Sequence, residues 1–132
     1  MHLAERLQGS FRLDTCQATR YYGGIEGGEL HWLKEPALSL QEATVIVIDD
    51  IYDAGITLAA VAEYCSRNGA QQIYTAALFV KDCPRAATVR KLDYSSGLVV
   101  PDRYVFGCGM DLHDRWRQLT AVYALSSTAL DN

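Results

Sequence analysis

Long apolar runs are missing from this sequence, and with them any segment able to cross a bilayer as a helix. Nothing near the start has the pattern of a signal peptide. Cysteine is sparse: Cys16, Cys65, Cys83 and Cys108 include no C-x-x-C pair, and they fit a reducing cytoplasm better than a disulfide framework or a zinc site. The three histidines show no metal-ligand spacing. Basic charge is not in excess, with 12 Lys and Arg against 16 Asp and Glu and a net charge of −4. That balance argues against a nucleic-acid or membrane-surface partner. Repeats and low-complexity tracts are absent as well. The expectation is a cytoplasmic protein.

What is present suffices for a core. Of 132 residues, 49% are apolar and 21% charged, which suits one domain over residues 1–132. Met1 to Gln8 reads as the last turns of a helix closed by Gly9, without an N-cap of its own. Phe11 to Tyr22 reads as a strand running into Gly23, Gly24, Gly27 and Gly28, and Glu29 to Leu33 as a strand returning from them. Such a glycine-rich loop, over about residues 20–30, is either a surface hairpin or a lid. Pro36 to Glu42 is a connector.

Val45-Ile46-Val47-Ile48 is a run of β-branched residues that reads as a central strand buried on both faces of a parallel sheet. It ends in Asp49, Asp50 and Asp53, then Gly55 and Thr57, then a helix from about Thr57 to Arg67. That helix carries Leu58, Val61, Ala62 and Cys65 at helical spacing and stops at Asn68-Gly69. Ile73 to Val80 is the next strand, completing a βαβ unit. The turn after Ile48 therefore sits at the carboxyl end of a strand, where open α/β sheets bind ligands. Backbone N–H groups from Ala54 to Thr57 lead into a helix N-terminus, a ready anion site. Lys81 closes the second strand at the same rim. Leu98 to Val100 forms another short strand, Asp111, Asp114, Arg115 and Arg117 lie in a polar turn, and Ala121 to Leu125 is a last apolar segment before a polar, fraying tail. His31 and Trp32 read as packing residues and His113 as surface.

Residues 45–58 resemble the signature of type I phosphoribosyltransferases, four apolar residues followed by Asp/Glu-Asp-x-x-Asp-x-Gly-x-Thr. Val80-Lys81-Asp82-Cys83-Pro84 resembles the Val-Lys-x-x-Pro segment of the hypoxanthine-guanine branch. Pro101 to Asp111 is similar to that branch's Pro-Asp-x-Phe/Tyr-Val-x-Gly-x-x-x-Asp, and Arg117-Gln118-Leu119 to its Arg-x-Leu. The resemblance implies an α/β fold with a mostly parallel, twisted sheet flanked by helices. It implies purine salvage: transfer of phosphoribosyl from 5-phosphoribosyl diphosphate (PRPP) to hypoxanthine or guanine, with release of pyrophosphate. A non-catalytic PRPP or nucleotide sensor on the same fold is the competing reading.

The same resemblance distributes roles. Asp49 and Asp50 meet the ribose hydroxyls, directly or through Mg2+. Asp53 serves as general acid/base at purine N7, and Ala54, Gly55, Ile56 and Thr57 cradle the 5'-phosphate. Lys81 donates to purine O6, Tyr104 stacks on the ring, the Val105 backbone reads its edge, and backbone near Asp111 reads the group at C2. Asp111 is also a Mg2+ ligand, and Arg117 pairs with pyrophosphate. Tyr21 fits a Ser-Tyr dipeptide at the root of the loop, whereas Arg20 departs from it. The implied assembly is a dimer or tetramer. The resemblance also implies about fifty further residues upstream, with the first sheet strand and a pyrophosphate loop, so that a sheet edge is bare here. The chain is then expected to be a weak catalyst, or to need a partner over that edge.

Overall fold

The computed structural model describes residues 3–20 and 30–126, with the backbone alone at Thr19, Arg20 and Leu30. Tyr21, the glycines of the expected loop, Met1, His2 and the tail after Ser126 lie outside the described residues. The chain divides into two compact units, Met1–Ser39 and Leu40–Asn132.

In the first unit, helix α1 covers Leu3–Arg6, and Gly9 comes after it with φ 108°. Strands β1 (Gln17–Arg20) and β2 (Leu30–Lys34) pair antiparallel, as the two runs around the glycines suggest. The first strand begins later than its composition predicts. Asp14 takes the backbone of that stretch out of extended form: its carboxylate accepts the N–H groups of Thr15 at 2.8 Å, Ala37 at 2.6 Å and Leu38 at 2.9 Å. These donors hold the Asp14 carboxyl below its ordinary range, with Leu38 contributing most. Phe11 to Cys16 is consequently loop. Trp32 is half-buried as expected, but His31 is exposed, because alternate residues of a two-stranded ribbon face opposite sides.

The second unit is built on β3 (Thr44–Tyr52), α2 (Ile56–Arg67), β4 (Gln72–Asp82) and β5 (Tyr94–Pro101). The three strands form a parallel sheet in the order β3-β4-β5. Helix α2 buries Leu58, Val61, Ala62 and Cys65, the four residues picked out by spacing. Each large aliphatic side chain so buried stabilises by about 2 kcal/mol. Asn68 caps the helix, its side-chain Nδ2 donating to the Tyr64 carbonyl at 2.8 Å, and Gly69 turns the chain with φ 91°. Thr75, fully buried in β4, is satisfied by Asp93: its N–H and hydroxyl both donate to that carboxylate, at 2.7 and 2.9 Å. Two apolar clusters result, Tyr52, Leu58 and Ala77 in one, Val100, Val105 and Met110 in the other.

Burial of β3 on both faces is the expectation the structure corrects. Val45 and Val47 are half-buried, but Ile46 and Ile48 remain 50% and 44% exposed, and β3 stands at the edge of the sheet among the described residues. Alternating exposure is what a strand covered on one face shows, and α2 covers only one. Beyond the sheet, β6 (Val105–Phe106) and β7 (Tyr123–Ala124) pair antiparallel, with Phe106 and Tyr123 stacked at 5.8 Å. No helix among the described residues is long and apolar enough to cross a membrane.

Candidate functional site

Strand β3 carries its acids to its end. Asp49 is half-buried and Asp50 exposed, and the Asp50 N–H donates to Asp49 Oδ1 at 3.0 Å. Burial, with the neighbouring Asp50 charge second, pushes the Asp49 carboxyl up to about 6. Two carboxylates that repel each other in this way favour hydroxyl donors or a cation between them. Among the described residues no three of His, Cys, Asp and Glu converge on a metal site. The donor set nevertheless fits Mg2+, which takes hard oxygen ligands from one or two carboxylates and the rest from water and substrate.

Past Tyr52 the chain turns through Asp53, Ala54 and Gly55 into α2. Gly55 has φ 76° and is the N-cap, with no side chain capping the helix. A Cβ at Gly55 would lie 2.6 Å from a ring carbon of Tyr52 and 2.7 Å from Val89, so only glycine fits. The first N–H groups of α2 are thereby left for an anion, as the reading of Ala54, Gly55, Ile56 and Thr57 requires.

Asp53 and Lys81 are brought together. Lys81 Nζ lies 2.5 Å from Asp53 Oδ2, the lysine side chain 12% exposed and the carboxylate 52% exposed. Cys83 Sγ donates weakly to the other Asp53 oxygen at 3.6 Å, and desolvation pushes the pKa of this thiol up. A donor and an acceptor are thus presented side by side at the rim of the sheet.

Arg85 is the residue that sequence reasoning missed. Its Nε donates to the Asp53 carbonyl at 2.6 Å, and its Nη2 donates to the carbonyls of Tyr52, at 2.9 Å, and Lys81. The guanidinium also lies over the Tyr52 ring, 4.5 Å from its centroid, a contact worth about 1 kcal/mol. Tyr52 in turn donates its hydroxyl to the Arg90 carbonyl at 2.6 Å. The available signal was an arginine four residues after Lys81, just past the strand end.

The remaining expected residues fall in the C-terminal part. Tyr104 is 49% exposed, with its ring free to present a face, whereas Val105 is buried against Val100 and Met110. Two tight turns come next. Cys108 and Gly109 have φ 54° and 99° inside a Gly107–Met110 bridge, and His113 and Asp114 have 53° and 61° inside a Leu112–Arg115 bridge. Positive φ at both central residues is what a type I' turn needs. Asp111, between the turns, receives the Asp114 N–H at 2.9 Å and pairs with Arg117 Nη2 at 2.9 Å. Arg117 Nη1 also donates to the Gly109 carbonyl at 2.9 Å, which leaves its guanidinium fixed but half-exposed. His113 is exposed as expected. Arg20 ends β1, and Tyr21 is outside the described residues.

Known proteins resemble this chain in sequence and fold. The family model for the phosphoribosyl transferase domain matches residues 1–115. The hypoxanthine-guanine phosphoribosyltransferase of Staphylococcus epidermidis is 29% identical over 126 residues, covering 95% of this chain and 69% of the relative. Its namesake from Staphylococcus aureus is 27% identical over 131 residues, covering 98% and 72%. Among solved structures, a hypoxanthine phosphoribosyltransferase from Staphylococcus aureus is similar with TM-score 0.85 and 27% identity, over 98% of this chain and 70% of that one. A hypoxanthine-guanine-xanthine phosphoribosyltransferase shares the fold with TM-score 0.79 at 24% identity, over 93% and 69%.

Proposed function

The chain belongs to the phosphoribosyl transferase family, and on that footing we propose that it serves purine salvage, converting hypoxanthine or guanine and PRPP to the nucleotide and pyrophosphate. The observation that carries the reading is the Lys81–Asp53 pair at the carboxyl rim of β3 and β4. A 6-oxopurine presents O6 and N7 side by side on one edge, and adenine replaces the O6 acceptor with an amino donor. Lys81 donates to O6, and Asp53 accepts the proton carried by N7. N9 then attacks the anomeric carbon as the bond to pyrophosphate breaks, the electron pair leaving with pyrophosphate. Positive charge developing on the ribose is steadied by Asp49 and Asp50, which also hold its hydroxyls. The amides of Ala54, Gly55, Ile56 and Thr57 hold the 5'-phosphate, Tyr104 stacks on the purine, and Val105 and Asp111 border its edge.

Asp111 would hold Mg2+ for the leaving pyrophosphate, whose charge the ion would offset, and Asp49 and Asp50 would meet the ribose hydroxyls directly or through Mg2+. Arg117 would pair with pyrophosphate. The family match runs across both compact units, which supports one phosphoribosyltransferase domain over residues 1–132. Four cysteines outside any disulfide suit a reducing cytoplasm, and the exposed Ile46 and Ile48 suit a homo-oligomer, a dimer or tetramer.

The test is pyrophosphate release from PRPP and Mg2+ with hypoxanthine, guanine, xanthine and adenine in parallel, on this chain and on a version extended upstream. Release that depends on hypoxanthine or guanine supports the reading. PRPP binding with no release in either version would favour the non-catalytic sensor, and a preference for xanthine or adenine would remove hypoxanthine and guanine as the bases salvaged.

A further inference from the structure

Two parts of the site share the Tyr52 ring and differ in what else holds them. The phosphate turn is wedged by Gly55 between the Tyr52 ring and Val89. The purine pair has no such wedge, and Asp53 is half-exposed on a short bend. What spans the pair is Arg85, whose planar fork reaches the Asp53, Tyr52 and Lys81 carbonyls and so ties the ends of β3 and β4 together. The Tyr52 ring beneath it fixes the plane of the fork. A cation on Cys83-Pro84-Arg85 that served only as surface charge would have no reason to turn back onto three backbone oxygens at the ends of the two site strands.

Building on the salvage reading, we infer that Arg85 is a positioning residue. It sets the spacing of the Lys81 ammonium and the Asp53 carboxylate, and thereby the affinity for the 6-oxopurine, without touching the substrate. Lysine cannot replace it, because an ammonium lacks the planar set of N–H groups that engages several carbonyls at once. The phosphate half of the site should hold after the change, because the Tyr52 hydroxyl keeps its ring anchored on the Arg90 carbonyl.

Arg85→Lys and Arg85→Gln test this against ribose 5-phosphate and inosine 5'-monophosphate, both followed by titration calorimetry beside thermal unfolding. The expected result is an inosine monophosphate affinity reduced by about tenfold or more in both variants, and ribose 5-phosphate affinity within about twofold of wild type. Where turnover is measured, kcat falls and the KM for hypoxanthine rises while the KM for PRPP holds. Wild-type inosine monophosphate affinity in Arg85→Lys would overturn the inference. So would equal losses for both ligands, or a collapse in unfolding temperature that accounts for them. A wild-type chain that binds inosine monophosphate no better than ribose 5-phosphate would instead overturn the salvage reading, and the inference with it.

Discussion

The two charged pairs of the site are built differently. Lys81 and Asp53 stand 28 residues apart in sequence and meet because a parallel βαβ unit brings two strand ends together, with Arg85 reaching 32 residues back to Asp53. Asp111 and Arg117 meet within one short segment folded by two tight turns, the Arg117 guanidinium reaching only 8 residues back to Gly109. A pair made by topology transmits disturbance between elements, whereas a pair made by a turn contains it. Changes at the first should alter chemistry and geometry together; changes at the second should stay local.

The largest effect is expected at Asp53. Asp53→Asn removes the proposed proton acceptor and should lower kcat by about 10²- to 10⁴-fold. Unfolding should move by less than about 1 kcal/mol, because the carboxylate is half-exposed. A variant that unfolds instead would show that the pair is structural. Next comes Gly55→Ala, which adds a Cβ against Tyr52 and Val89 at a left-handed φ of 76°. The strain and crowding should cost about 3 kcal/mol and abolish ribose 5-phosphate binding, read by thermal unfolding and calorimetry.

Asp49 gives a pH signature. Its folded pKa of about 6 lies above the unfolded value, so the native state binds the extra proton between the two. Stability of the free chain should therefore fall as pH rises from about 4 to 7, by roughly 2 kcal/mol, and Asp49→Asn should remove that slope in urea titrations. A slope unchanged in Asp49→Asn would assign the effect elsewhere. The smallest effect is expected from Arg117→Ala, with stability lower by at most about 1 kcal/mol. Pyrophosphate affinity should nonetheless drop severalfold, and an unchanged affinity would remove Arg117 from the site.

The contrast between topology and turn also sorts what the sequence made legible. The extent of α2, its four buried residues and its Asn68-Gly69 stop were readable because spacing and caps are local properties. So was the parallel β3–β4 pairing, which is the outcome of strand, helix and strand in series. The late start of β1 was not, since Asp14 finds Ala37 and Leu38 only after the chain returns, 23 and 24 residues on. Exposure of Ile46 and Ile48 was hidden for a related reason: a β-branched run shows what a strand can bury, not what lies against it. At the site, the acids and Lys81 announced themselves by signature, but Arg85 acts on main-chain oxygens and leaves no pattern in composition.

One measurement tests the central claim most directly: the affinities of inosine and adenosine 5'-monophosphates for the wild-type chain and for Lys81→Met. The two nucleotides differ at the group that Lys81 is proposed to meet. Wild type should prefer inosine monophosphate by about tenfold or more, and Lys81→Met should bring the two within about threefold. Equal affinities in wild type, or a preference that survives in Lys81→Met, would contradict the assignment of the Lys81–Asp53 pair to purine recognition.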